Sequence, residues 1–487
     1  MIKISTSHTV LLTGCALWLA ACAQSPAPLS VDTATLTADD GACQVTAPFS
    51  TVALDDRFER EVSRLMTHMM DRGMAPGAVI QIRQNGKTVF DKAYGYADLD
   101  SRKPMETDSL FRIFSMTKPI TSMAALRLVD EGRLELDAPI HRYLPEFADV
   151  EVLEVEAMKA GVADGSVPPI PTRRATRPPT VRDLLRHTSG LTYLGADPDN
   201  PLGLLYAQAG VPAARGVDGP PREGRAPVQD NDAFISRIAS LPLKHDPGAA
   251  WSYGNSTDVL GVIVSQVSGE TLGDYMRDNF FEPLGMNEAT FTLPADRAAS
   301  FTTAYNVPQQ SDPGAAIDDL FPIDALEPRT PVAIDPYSAS LYMTPATIEF
   351  GGAGLVMDAD DYLNFTTALM DEERRPVSSA LWGAATQDQL TSAARNATQS
   401  LGDRGFGLGF AIKLGETHSA ASSFPQCGLF WAGAASTYFW IDEETQTTGV
   451  LMTQVLGGDV RSYFSELLSK IYNRPESDGA SNGFVID

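Results

Sequence analysis

Short apolar runs of strand type stand at both ends of this chain, with helical periods between them, and that order leaves few folds open. Near the start, Ala78-Val79-Ile80-Gln81-Ile82 and Lys87-Thr88-Val89-Phe90 flank Gln84-Asn85-Gly86. Asn-Gly between two such runs predicts a β-hairpin. A helix is expected just before it, from Arg57 to Gly73, with Phe58, Val62, Leu65 and Met69 on one stripe. Residues 115–131 predict a second helix, closed by Gly132, and residues 256–280 a third, on the spacing of Val259, Leu260, Ile263 and Val267. Strands return late, as Leu408 to Ile412, Leu429 to Gly433, Thr437 to Ile441 and Gly449 to Thr453, before a last helix over about 459–472. This order predicts one sheet assembled from both ends of the chain, with a helical domain inserted between them. Residues 151–180 and 193–232 are rich in Pro, Gly and Asp and read as long loops or insertions.

The chain has 487 residues, with 37 Lys and Arg against 62 Asp and Glu, a net charge of −25. At 43% apolar and 20% charged residues the composition is that of a globular protein. A chain of this size buries about three quarters of its unfolded surface, so its core needs no disulfide or metal. A surface this acidic repels phosphate backbones, and no nucleic-acid partner is expected.

The first residues read as an export signal. Lys3 is followed by an apolar stretch from Val10 to Ala21 that is too short to span a bilayer. It ends in Leu19-Ala20-Ala21-Cys22, which looks like a bacterial lipobox. In that reading Cys22 is lipidated and anchors the chain to a membrane of the bacterial cell envelope. Ala23 resembles a sorting signal for the outer membrane, which would place the chain on its periplasmic face. The alternative is an ordinary signal peptide cut near Ala21 or Ala23. With Cys15 removed and Cys22 lipidated, Cys43 and Cys427 remain, and an oxidising periplasm would allow a bridge between them.

The most informative hexapeptide is Phe114-Ser115-Met116-Thr117-Lys118-Pro119, the one S-x-x-K of the chain. Pro119 fits a first helical turn, so Ser115 falls at a helix N-terminus. Positions i and i+3 share a helix face, which brings Lys118 within reach of the Ser115 hydroxyl. A serine hydroxyl is a weak nucleophile without such help. The competing reading is a serine that only caps its helix. Further on, Tyr253-Gly254-Asn255 stands just before the helix from 256. A phenolate beside a cation can serve as a base. The Asn255 amide can accept from Lys118 and donate to an acyl group. Later still come Trp431-Ala432-Gly433-Ala434, where small residues would let substrate lie along a strand and the Ala434 N–H could join that of Ser115 as an oxyanion hole. A second Y-x-N, Tyr362-Leu363-Asn364, sits in a predicted helix behind Asp358, Asp360 and Asp361, which read as its cap and first turn.

These elements, in this order, resemble the serine beta-lactamase-related superfamily. The nearest likeness is to class C beta-lactamase-like serine hydrolases, including family VIII carboxylesterases. Supporting phrases include Val181-Arg182-Asp183-Leu184-Leu185-Arg186-His187-Thr188-Ser189-Gly190-Leu191 and Gly351-Gly352-Ala353-Gly354-Leu355. The resemblance implies an α+β fold, an antiparallel sheet flanked by helices with an inserted helical subdomain. It also implies that Ser115 is acylated, that Lys118 and Tyr253 handle protons, and that Asn255 helps position them. The organisation expected is a leader (1–22), a tether (23–55), a catalytic domain (56–475, helical subdomain about 120–300) and a tail (476–487).

One departure sharpens the expectation. Beta-lactamases and penicillin-binding enzymes usually carry Lys or His where this chain has Trp431, and that cation would pair with the substrate carboxylate. Related carboxylesterases resemble this chain in having W-x-G there. The substrate expected is therefore a small-molecule ester or amide, a neutral ester ahead of a beta-lactam or a D-Ala-D-Ala peptide. The alternatives are a beta-lactamase or DD-peptidase, an acyltransferase, or a non-catalytic penicillin-binding sensor. Neither cofactor nor metal is expected, since His141, His245 and His418 are isolated and His187 reads as structural. Gly479-Ala480-Ser481-Asn482-Gly483 matches G-x-S-x-G without the flanking strand and helix a nucleophile elbow needs.

Overall fold

Asn85 and Gly86 have φ of 50° and 72°, the pair of positive values that a two-residue type I′ turn requires. They join strand β1 (Gly77–Gln84) to β2 (Lys87–Asp98), paired antiparallel from Gly77 opposite Gly95 to Gln84 opposite Lys87. The structure is a computed structural model, and it describes residues 56–154, 171–193, 202–212, 228–307, 328–398, 401–402, 404–414 and 427–457, with 460, 461, 463, 464 and 468. The leader with Cys22, the tether with Cys43, and the G-x-S-x-G match lie outside the described residues. Cys427 is disulfide-bonded.

The remaining strands of the same sheet are β3 (Lys103–Pro104), β4 (Arg404–Phe406), β5 (Ala411–Lys413), β6 (Leu429–Ala432), β7 (Tyr438–Asp442) and β8 (Thr447–Thr453). Their spatial order is β4-β5-β6-β7-β8-β1-β2-β3, and every neighbouring pair is antiparallel. The first strand thus lies beside the last, Ala78 opposite Thr453 and Gln84 opposite Thr447. The sheet is assembled from both ends of the chain, as the order of apolar runs predicts.

Both faces of the sheet are covered, and the alternation of side chains in β1 sorts them. Ala78, Ile80 and Ile82 pack with Phe58, Val62, Leu65 and Met69 of helix α1 (Asp56–Asp71). Val79 points the other way, into the core that holds helix α2 (Thr117–Asp130), helix α3 (Ser256–Ser268) and helix α4 (Ala359–Met370). α2 is buried on nearly every side, as a helix enclosed by others must be.

Two boundaries differ from expectation. The helix expected over 256–280 stops at Ser268, because Gly269 takes a left-handed conformation (φ 78°) that closes it. The chain then restarts as Leu272–Met276, capped by Thr271, and widens into a π turn at Arg277–Phe281. The strand expected from Leu408 begins only at Ala411, since Gly409 (φ 104°) bends the chain past α2, where a Cβ would stand 2.4 Å from that of Ser122. Within the loop-rich stretches, Glu151–Leu153 pairs with Thr172–Arg174, and Leu202–Ala209 is helical. Of the last helix, the described positions 460, 461, 463, 464 and 468 are helical.

Candidate active site

Ser115 lies not in α2 itself but in the 3₁₀ turn Phe114–Met116 that leads into it. Phe114 has φ 44°, a left-handed value that a non-glycine residue adopts only when its surroundings impose it. Several contacts do so. The Phe114 ring packs with Ala353 and Ala435, Ile113 N–H donates to Leu355 O at 3.1 Å, and Tyr362 OH donates to Met116 O at 3.1 Å. Arg112 is 1% exposed and spends its guanidinium internally, on Asp335 Oδ2 (2.7 Å), Ser340 Oγ (3.0 Å), Thr302 O (2.8 Å) and Gln454 Oε1 (3.0 Å). Gln454 Nε2 donates back to Arg112 O at 2.9 Å. The Ser115 side chain is half-buried at the surface of this rigid turn.

Lys118 is one helical turn on and 2% exposed. Its Nζ donates to Ser115 Oγ at 3.2 Å, to Tyr193 OH at 3.0 Å and to Gly352 O at 2.7 Å. The first contact is the one that S-x-x-K predicts. The other two were not read from the sequence. Tyr193 OH in turn donates to Asp258 Oδ2 at 3.2 Å, and Gly352 N–H donates to Asp258 Oδ1 at 2.8 Å. Asp258 is buried, and that burial pushes its carboxyl up, against the opposing pull of the Lys118 charge and of the hydrogen bonds from Gly352, Tyr193 and Asn255.

Asn255 sits below this contact rather than against Lys118. It is the N-cap residue of α3, yet its side chain caps nothing, since Nδ2 donates to Asp258 Oδ2 (3.2 Å) and Pro212 O (3.3 Å). Gly254 explains why this segment meets the Tyr193 loop. A Cβ there would stand 2.3 Å from Thr192 Cα.

Tyr253 presents its ring face to the lysine, with Nζ 4.7 Å from the centroid, within cation–π range. Around it stand Trp251 (stacked, 6.0 Å between centroids), His187 (5.0 Å) and Trp431 (5.4 Å), and Phe406 meets Trp431 edge-on at 5.3 Å. His187 has the structural place expected of it. It is buried, and burial and the Lys118 charge hold it well below the usual imidazole range, hence neutral. Trp431 is half-buried on β6 and gives the site an aromatic, uncharged wall.

Gly433 follows β6 and lies so close to the nucleophile turn that a Cβ would stand 2.4 Å from Ile113 O. Ala434 is in the turn between Gly433 and Ala435, and Ala435 packs on Phe114. Ser115, Lys118, Tyr253, Trp431, Gly433 and Ala434 therefore converge. Among the described residues no group of three or more His, Cys, Asp and Glu could hold a metal ion, and no helix is long and apolar enough to cross a membrane.

A family model described as Beta-lactamase matches residues 62–465. The chain is 30% identical to Esterase EstB of Burkholderia gladioli over 381 residues, which is 77% of this chain and 85% of that protein. It is 27% identical to Lovastatin esterase of Penicillium rubens over 400 residues, 78% of this chain and 89% of that one. Among solved structures, EstCE1, described as a hydrolase with promiscuous acyltransferase activity, matches with a TM-score of 0.64 at 25% identity, covering 85% of this chain and 98% of that one.

Proposed function

Since the chain belongs to the Beta-lactamase family, we propose that it is a serine hydrolase that cleaves small neutral carboxylic esters through an acyl-enzyme on Ser115. The observation that carries this reading is the Ser115–Lys118 contact of 3.2 Å facing an aromatic wall that includes Trp431. In the first step Ser115 Oγ attacks the ester carbonyl carbon, its proton passes to Lys118, and the carbonyl electron pair moves onto oxygen. The backbone N–H groups of Ser115 and Ala434 hold that oxyanion. The intermediate collapses, the C–O bond to the alcohol breaks, and the alcohol leaves with the proton that Lys118 returns, the ammonium lying over the face of the Tyr253 ring. Water then repeats the attack on the acyl-enzyme and frees the acid. The esterase names of EstB and Lovastatin esterase support the choice of ester over amide or lactam.

The test is hydrolysis of short p-nitrophenyl esters by the chain from residue 23 and by its Ser115→Ala variant. The variant is expected to lose turnover by roughly 10³-fold or more. Equal rates in the two proteins overturn the assignment.

A further inference from the structure

Asp258 is a carboxylate buried in the interior. It is 2% exposed, and its oxygens are held by Gly352 N–H (2.8 Å), Tyr193 OH (3.2 Å) and Asn255 Nδ2 (3.2 Å). Among the described residues no cation pairs with it directly. Lys118 stands one hydroxyl away, on the far side of Tyr193. A continuous line of hydrogen bonds results, from Ser115 Oγ to Lys118 Nζ (3.2 Å), Tyr193 OH (3.0 Å) and Asp258 Oδ2 (3.2 Å).

We propose that Asp258 receives, through Tyr193, the proton that Lys118 must lose before it can act as a base toward Ser115. The proposal rests on the reading of Ser115 as the nucleophile. Tyr193 passes its hydroxyl proton to Asp258 Oδ2 and takes one proton from the Lys118 ammonium. The products are a neutral amine, an intact phenol and a neutral carboxylic acid. The net charge of the group is unchanged, and no proton comes from solvent. The amine lone pair then faces Ser115 Oγ. The transfer turns two buried charges into two neutral groups, the direction a dry interior favours. Asp258 touches no reacting atom in this scheme and is a positioning residue.

The surroundings fit such a line. A Cβ on Gly352 would stand 2.7 Å from both Asp258 oxygens, so glycine is what lets this backbone donate its N–H to the carboxylate while its C=O accepts from Lys118. The titratable and charged groups facing the line are Ser115 and Lys118 at the start of α2, Tyr193 and Tyr253 on the loops before α3, and neutral His187 beneath Tyr253.

The experiment measures two rates against pH for the wild-type chain, Asp258→Asn and Tyr193→Phe. One is kcat/KM for p-nitrophenyl acetate. The other is covalent labelling of Ser115 by a fluorophosphonate. In the wild type the pair makes the amine internally. In either variant Lys118 must release its proton to solvent, so the acid limb of both profiles is expected to move to higher pH by at least about one unit. A purely packing role would scale the rates equally at every pH and overturns the proposal. So does a shift to lower pH, which would mean that Asp258 only stabilises the ammonium. Tyr193→Phe keeps its ring and carries the test if Asp258→Asn does not fold. An ester rate independent of Ser115 defeats the ester reading, while the labelling profile still decides on Asp258. Ser115-dependent hydrolysis with an unmoved acid limb defeats the relay alone.

Discussion

The proposed preference for neutral esters turns on Trp431. Its indole packs against Tyr253 and Phe406 on the strand end beside Ser115, offering apolar surface and no charge. Trp431→Lys is expected to raise kcat/KM for a carboxylate-bearing cephalosporin, relative to p-nitrophenyl acetate, by about tenfold, or about 1.4 kcal/mol. Steady-state rates on the two substrates measure the ratio, and an unchanged ratio would mean that the residue does not face bound substrate. At this scale the sequence exposed half of the site. Ser115 and Lys118 are legible because i and i+3 on a helix must share a face, and their contact is made. Tyr193 was invisible because it opens a Pro- and Gly-rich stretch with no period and no motif. Asp258 was hidden in a different way. Three residues past Asn255, at a helix start, it reads as an ordinary first-turn acid, and only the approach of Gly352 from a distant loop shows that it is buried.

Helix α4 shows how an element can be read correctly and still hold something unread. Asp358 does cap it, accepting from Asp361 N–H at 2.8 Å. Asp361, however, is 3% exposed and accepts from Glu288 N–H at 2.8 Å instead of facing solvent. Burial, and then the neighbouring Asp358, push its carboxyl up to about 8, and burial pushes that of Asp358 up to about 6. A carboxyl raised on folding contributes stability that is complete below its unfolded value near 4 and is lost as pH rises through the folded value. The urea midpoint is therefore expected to fall between pH 5 and pH 9, by a loss on the order of 5 kcal/mol. Asp361→Asn should flatten most of that slope, and an equally steep slope in the variant would refute the assignment. Helix and strand cores were legible from period alone. Their ends were not, because Gly269 and Gly409 act through backbone angles that tertiary packing selects.

At the scale of the whole molecule, the plan that was legible was the sheet built from both ends. Its strand order was not, since apolar runs carry no address for their partners. The pairing places β8 between β7 and β1, in the middle of the sheet. A chain ending at residue 445 lacks β8 but keeps Ser115, Lys118, Tyr253 and Trp431. It is expected to lose cooperative thermal unfolding, because β1 and β7 both lose a neighbour and α4 loses one of the two strands it packs on. A sharp calorimetric transition in that fragment would contradict the plan. The same pairing sets a timetable for synthesis. β1 leaves the ribosome early, and its partner β8 comes 363 residues after Gln84 (447 − 84), so at 5–20 residues per second the strand waits roughly 20–70 s. For that interval one edge of β1 has no β8 beside it, and an open edge invites pairing with other chains. The nascent protein is thus most prone to aggregate before its last strand is made.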